Sequence, residues 1–310
     1  MRIIFNALKT NLGNTGGCRT IVKSRDALRR MGHDCDIVAT KSKYTWEKVD
    51  VLSAVPRCDI CIAISVLDID NTRKAPADIR ALWLRGPEWR WLMDEKLALE
   101  KLARIQVVCN SAWLVEYLYD HKINAALCYA GMDIEFWQNT VKKRWKTIGC
   151  LYSSRESKQW KDFVSLAKVL GDKYQYFAFG LEKCKDAFLN EYYQNPSPDK
   201  LRGFYNRCKY WFAPSALEGF HNPPAEALLC GALPVVADLR RGGTADYIQD
   251  KVTGLRYADL AQAVEQIEQI EVNDFARQSY ITMGRTMLQS IGTREQAMER
   301  MIKTLTGSTK

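Results

Sequence analysis

The sequence predicts an α/β protein of two doubly wound halves followed by a helical tail. Three observations carry this expectation. At 310 residues the chain exceeds the usual size of one domain. Short apolar, β-branched runs alternate with longer amphipathic stretches, as in parallel strands joined by helical crossovers. The alternation stops once, at the basic, irregular stretch WQNTVKKRWK (137–146), and then restarts. That stretch reads as an interdomain linker, which gives domains at 1–140 and 141–310.

The elements follow in order. RIIFNA (2–7) is a core strand, then comes a glycine-rich turn, then an amphipathic helix around 17–31 that stops at Gly32. CDIVAT (35–40), DICIAIS (59–65), ALWLRG (81–86), IQVVCN (105–110) and AALCYA (125–130) are the further strands of the first half. Helical patterns near 88–103 and 112–121 separate the last three. In the second half the strands are TIGCLYS (147–153), YQYFAFG (174–180), YWFAPS (210–215) and LPVVAD (233–238). From about 259 onward the pattern is helical, and the last helix is expected to pack back on the N-terminal domain.

Composition narrows the class. With 47% hydrophobic and 26% charged residues the chain is globular, not disordered. No apolar run approaches the length needed to span a bilayer. The N-terminal run is broken at Lys9, too early for a secretory signal. Most of the ten cysteines sit inside apolar runs, as small core residues of a reduced protein, so the expected location is the cytoplasm. Cys58 and Cys61 have redox or zinc spacing, but i and i+3 of a strand point to opposite faces, and no second pair or nearby histidine accompanies them. No metal and no cofactor are expected. The net charge of +9 points to an anionic partner or a phosphate-bearing ligand. ALWLRGPEWRWLMDEK (81–96) mixes Trp83, Trp89 and Trp91 with Arg85 and Arg90, which suits a membrane interface, a sugar platform, single-stranded nucleic acid or a half-buried helix start. Peripheral contact at the inner membrane surface is therefore a further expectation.

In doubly wound sheets ligands sit beyond the carboxyl ends of the strands, so the loops there carry the information. The first, KTNLGNTGGCR (9–19), places Gly13, Gly16 and Gly17 before a helix, where uncovered amides can face a phosphate. It is not a dinucleotide fingerprint, since Thr40 and Lys41 stand where the acidic residue belongs. The second, YSSRESKQWKD (152–162), sets Arg155, Lys158 and Lys161 before a helix, a grouping suited to a diphosphate. The third, EGFHNPPAE (218–226), places Glu218 in a loop and Glu226 one turn into a helix, with Asn222 as expected N-cap, Pro223 at the first helical position and Gly231 at the C-terminus. Carboxylates accept paired hydrogen bonds from vicinal hydroxyls, so two of them can hold two polyols joined by a diphosphate, the shape of a nucleotide sugar.

APSALEGFHNPPAEALLCGALPVVAD (213–238) resembles the E-x7-E segment of the family 4 retaining glycosyltransferases, whose fold is GT-B. Ser215, Glu218, Gly219, Phe220, Pro223, Glu226, Ala227, Gly231, Pro234, Val235 and Val236 match its usual pattern. TADYIQDKVTGLRY (244–257) is similar to the following segment, with Asp246 in place of the usual Glu, and AGMDIEFW (130–137) resembles the stretch before the second domain. LYSSRESKQWKDF resembles the segment with the Arg/Lys pair. The resemblance implies two Rossmann-like domains facing across a cleft, an acceptor-side N-terminal domain and a nucleotide-sugar donor domain. It implies that Glu226 binds ribose, that Glu218 binds the donor sugar beside backbone at Gly219 and Phe220, and that Lys158 binds the diphosphate. Gly16 and Gly17 match the loop near the phosphates. The usual G-R-L reads Gly149-Cys150-Leu151 here, which makes Arg155 the substitute arginine. His221 stands where a glycine is common, a change that bears on which sugar fits, and Arg85 stands where the N-terminal domain often has a histidine. Arg85 and Trp89 are the acceptor-side candidates.

The expected activity is metal-independent, retaining transfer of a sugar from a nucleoside-diphosphate sugar to an acceptor hydroxyl. The alternatives are an inactive GT-B subunit that binds a sugar or partner, and an epimerase or phosphorylase on the same fold. The acceptor stays open among a glycan, a lipid-linked glycan, a protein and modified DNA.

Overall fold

A computed structural model describes residues 1–142, 144–238 and 242–307. The chain divides into two compact units, Met1–Met132 with Ile291–Lys310, and Asp133–Ser290.

In chain order the first unit contains β1 (Arg2–Asn6), α1 (Gly16–Arg30), β2 (Asp34–Val38), β3 (Cys58–Ala63), α2 (Ile69–Arg73), β4 (Ala77–Leu84), α3 (Trp89–Leu92), α4 (Glu95–Leu102), β5 (Gln106–Cys109), α5 (Ala112–Asp120) and β6 (Ala125–Leu127). The strands form one parallel sheet in the order β2-β1-β3-β4-β5-β6. The central strands β1, β3 and β4 have stretches buried on both faces, which is why they read as continuous apolar runs rather than alternating ones. The Thr15 hydroxyl accepts the Cys18 N–H at 3.1 Å and starts α1, and Gly32 at φ 84° ends the turn that follows it. The single helix expected near 88–103 is two. Met93 is extended, and the Asp94 carboxylate caps a new helix through the Leu97 N–H at 3.0 Å.

The second unit contains β7 (Thr147–Tyr152), α6 (Trp160–Leu170), β8 (Gln175–Gly180), β9 (Glu191–Gln194), α7 (Pro198–Arg207), β10 (Tyr210–Ala213), α8 (Asn222–Leu229), β11 (Leu233–Ala237), β12 (Leu255–Tyr257), α9 (Leu260–Glu271) and α10 (Asp274–Ile291). Its sheet is also parallel, in the order β12-β11-β10-β7-β8-β9. The core around its central strands is aromatic: Phe163 stacks on Phe212, Phe179 on Trp211, and Tyr205 meets Trp211 edge-on at 5.0 Å.

The last helix, α11 (Arg294–Thr306), belongs to the first unit. It starts with a reciprocal capping box between Thr293 and Gln296 and buries Ala297, Met298, Met301 and Leu305 in the cluster that holds Phe5, Ile21 and Trp83. The units divide at Met132/Asp133, ahead of the expected boundary at 140. Trp137, 2% exposed, explains the difference, because it packs edge-on against Tyr205 of the second unit at 5.6 Å. Cys58 and Cys61 were expected on opposite faces of β3, yet both side chains are buried in one small apolar cluster with Ile4, Val38, Ala75 and Ala77. Cys58 is the first residue of the strand, where regular alternation only begins.

Candidate functional site

Parallel order brings the carboxyl ends of β7 and β10 side by side, since Tyr210 pairs with Ile148 and Trp211 with Gly149. The loops that leave these strands are tied together by the Ala216 N–H, which donates to the Ser157 carbonyl at 2.8 Å. The tie brings Lys158 and Glu218, 60 residues apart in sequence, into a direct ion pair. Both side chains are mostly buried, 19% and 17% exposed. The Ser215 side chain also bonds to Glu218, and His221 Nε2 lies 3.5 Å from Glu218 Oε1.

The electrostatics follow from this packing. Burial alone would raise the Glu218 carboxyl, but the Lys158 and His221 charges and the hydrogen bonds more than offset it, and hold it down at about 2. Burial acts the other way on His221 and lowers it to about 4, more than the Glu218 charge can restore. At neutral pH Glu218 is therefore a carboxylate and His221 a neutral imidazole. Removing one partner of the Lys158–Glu218 ion pair strands a charge, at a cost of about 3–5 kcal/mol.

His221 carries a second unusual feature. Its backbone is left-handed, φ 62° and ψ 73°, in a residue with a Cβ. That conformation costs roughly 1–2 kcal/mol in an L-residue other than glycine. Neighbours hold it. The Tyr247 hydroxyl donates to the His221 carbonyl at 2.8 Å, and the Phe220 and Tyr247 rings meet at 4.9 Å. Gly243 sits so close that a Cβ there would lie 1.5 Å from the Gly219 carbonyl oxygen. The N-cap of α8 is His221, not the expected Asn222, and no side chain caps the helix. Asn222 begins the helix, and Pro223 and Pro224 follow without N–H groups to offer. Gly231, at φ 89°, stands just beyond the helix end.

Glu226 is 3% exposed inside α8, and its Oε2 accepts the Tyr205 hydroxyl of α7 at 3.2 Å. Arg155 lies on the exposed surface, at the start of the short turn Glu156–Lys158, while Lys158 points inward. Cys150, where the resemblance expects an arginine, is 1% exposed. Burial pushes its thiol up, and the Lys158 charge partly opposes this, which locates Cys150 beside the lysine.

In the first unit, Gly16 and Gly17 are the first residues of α1. The Arg85 guanidinium donates to the Gly17 carbonyl and, at 2.7 Å, to the Ile64 carbonyl, so it ties the start of α1 to the end of β3. Trp89 is a buried residue, 2% exposed, stacked on Tyr117 at 5.3 Å, not an open platform. Its neighbours Trp91 and Leu92 are exposed. Sequence reasoning assigned no role to two carboxylates here, Asp68, which is buried, and Glu88, which is partly buried. Asp68 accepts the Lys9 N–H at 2.7 Å and the Thr10 hydroxyl, and Glu88 accepts the Val66 N–H at 3.2 Å. Burial raises both. The only sequence signal was their place just after strand ends. Among the described residues, no helix is long and apolar enough to cross a membrane.

Two parallel six-stranded sheets with these flanking helices define the GT-B fold. No protein-family model matches the chain, and no curated protein matches it significantly. Solved structures do. HepE from Anabaena in complex with UDP and glucose aligns with a TM-score of 0.78 at 10% identity, over 99% of this chain and 100% of that one. Sucrose-phosphate synthase from Thermosynechococcus elongatus aligns at 0.79 and 12% identity, over 99% and 98%. A glycosyltransferase from Rickettsia africae aligns at 0.72 and 12% identity, over 99% of each chain. At these identities the likeness is one of fold.

Proposed function

We propose that the protein is a family 4 type retaining glycosyltransferase that moves a sugar from a nucleoside-diphosphate sugar to an acceptor hydroxyl without a metal. The observation that carries this reading is the buried Lys158–Glu218 pair at the carboxyl ends of β7 and β10, with Glu226 eight positions further on. The fold supports it, and solved structures of that fold hold UDP and UDP-glucose in HepE.

In this reading Glu226 accepts the ribose hydroxyls, and Glu218 accepts hydroxyls of the donor sugar next to backbone at Gly219 and Phe220. As the sugar–phosphate bond breaks, negative charge grows on the departing diphosphate. Lys158 stabilises that charge from its mostly buried position, and Arg155 adds a second cation from the exposed surface. The acceptor hydroxyl attacks from the face the diphosphate leaves, and its proton passes to the leaving phosphate oxygen. The new glycosidic bond thus keeps the anomeric configuration. Lys158 and Ser215 hold Glu218 as an ion-paired carboxylate with acceptor capacity left for sugar hydroxyls, so in this reading it serves as a binding carboxylate and not as a covalent nucleophile.

The test is a thermal-shift panel of UDP-, GDP-, ADP-, TDP- and CMP-sugars without added metal, on wild type and Glu226→Gln. A ligand that binds the folded state raises Tm by mass action, by about 2.7 kcal/mol of stability at a hundredfold excess over Kd. A shift with one nucleotide that disappears in Glu226→Gln is the expected result. No shift with any donor, in a folded sample, removes the transferase reading in favour of an inactive binding subunit.

A further inference from the structure

Three features of His221 have no structural necessity. The left-handed backbone at φ 62° is one that glycine adopts freely, yet a histidine stands there. Its side chain is nearly buried, 4% exposed, although burial strips it of its charge. And the imidazole does not cap α8, as a polar side chain in that place could, but lies against the Glu218 carboxylate at 3.5 Å. Strain of this kind persists where the surroundings over-determine it, and here Tyr247, Phe220 and Gly243 clamp the loop from the far side. A fixed, neutral imidazole presents one N–H donor and one acceptor nitrogen. Beside a carboxylate, which only accepts, it completes a pair of groups that can distinguish one arrangement of hydroxyls from its epimer.

We propose that His221 determines which donor sugar the site accepts, by reading sugar hydroxyls together with Glu218. The proposal rests on the donor-site reading above and goes one step beyond it. A buried hydrogen-bonding group discriminates because the wrong isomer leaves it unpaired. The imidazole contacts the carboxylate assigned to the sugar, so its effect falls on the sugar part of the ligand and not on the nucleotide.

Isothermal titration of the full chain with UDP, UDP-glucose, UDP-galactose, UDP-N-acetylglucosamine, GDP, GDP-mannose, ADP and ADP-glucose tests this. The variants are His221→Gly, which suits the left-handed backbone, and His221→Asn, which tolerates it and restores a donor and an acceptor. The quantity read is the affinity of each sugar nucleotide relative to its bare nucleotide and to its epimer. In wild type one sugar stands out. In His221→Gly its advantage falls about tenfold, and His221→Asn recovers part of it. The same ranking in wild type and His221→Gly, including no ranking in either, overturns the proposal while leaving the donor site intact. Wild type that binds none of these compounds overturns the donor reading itself, and this inference with it.

Discussion

His221 and Glu218 tie the site to pH through burial and charge. The His221 imidazole ordinarily takes up its proton near 6.5, but in the folded protein burial delays this to about 4. Between those values the unfolded chain binds a proton that the folded chain refuses, so stability falls as pH drops from 6.5 toward 4. The interval corresponds to about 3 kcal/mol. Glu218 acts in the same direction at lower pH. Lys158 keeps it ionised down to about 2 against an ordinary 4.5, so its contribution is present above 4.5 and is lost as pH falls toward 2. Urea unfolding at a series of pH values therefore shows wild type losing stability from pH 6.5 downward. His221→Asn removes that upper limb and keeps the lower one. Parallel curves for the two proteins between pH 6.5 and 4 would contradict the burial argument. The residue types of this cluster were legible in the sequence, because E-x7-E and the cations before α6 are local patterns. Their partners were not. Lys158 meets Glu218 across 60 residues and Tyr205 meets Glu226 across 21, and only the folded sheet makes those pairs neighbours.

At the scale of elements, the loop that carries Glu218 is shaped from outside by a glycine that sequence reasoning passed over. Gly243 begins a short 3-10 turn over Gly243–Asp246, packed directly on the Gly219 carbonyl. Gly243→Ala places a methyl where that oxygen already is, so one segment must retreat, at a cost of about 1–3 kcal/mol. The expected outcome is a lower Tm together with loss of the sugar-nucleotide thermal shift. Gly203→Ala is the control, since nothing lies within 4 Å of a Cβ in mid-helix α7, and alanine there stabilises by about 0.5–1 kcal/mol. A Gly243→Ala protein with unchanged Tm and unchanged ligand shift would show that the contact does not shape the loop. The same scale shows which elements a sequence exposes. Ten strands announced themselves as apolar runs, most of them because they are buried on both faces, whereas β6 is a partly exposed edge strand whose residues are apolar all the same. β9 reads EYYQ and is only half-buried at the sheet edge, and β12 has three residues, so neither produces a run. α7 was missed as well, although Ser197 and Pro198 form a good start signal, since its DKLRGFYNR carries few apolar positions.

For the molecule as a whole, the chain leaves the first unit at Met132 and returns to it at Ile291. The return is a structural requirement of that unit. Gly131 adopts φ 70° beside the Thr293 carbonyl, the Met132 N–H donates to the Gly292 carbonyl at 3.0 Å, and Arg294 bonds the Ala130 carbonyl at 3.3 Å. Arg30 of α1 pairs with Glu295 at the start of α11. Beneath these contacts Met298, Met301 and Leu305 are at most 5% exposed. Each such side chain contributes about 1.5–3 kcal/mol on burial, so the three together supply about 5–9 kcal/mol. A domain's whole stability is about 5–15 kcal/mol. A chain ending at Ser290 therefore loses the fold of its first unit, although it keeps all six strands of that sheet. The second unit, Asp133–Ser290, keeps every strand and helix of its own core up to that point. Amide hydrogen exchange separates the two: in the truncated chain β1, β3 and β4 lose protection while β7, β10 and β11 retain it. Protection of β1 and β3 equal to that in the full chain would show that α11 is an appendage, and that the unit's stability lies in the sheet alone.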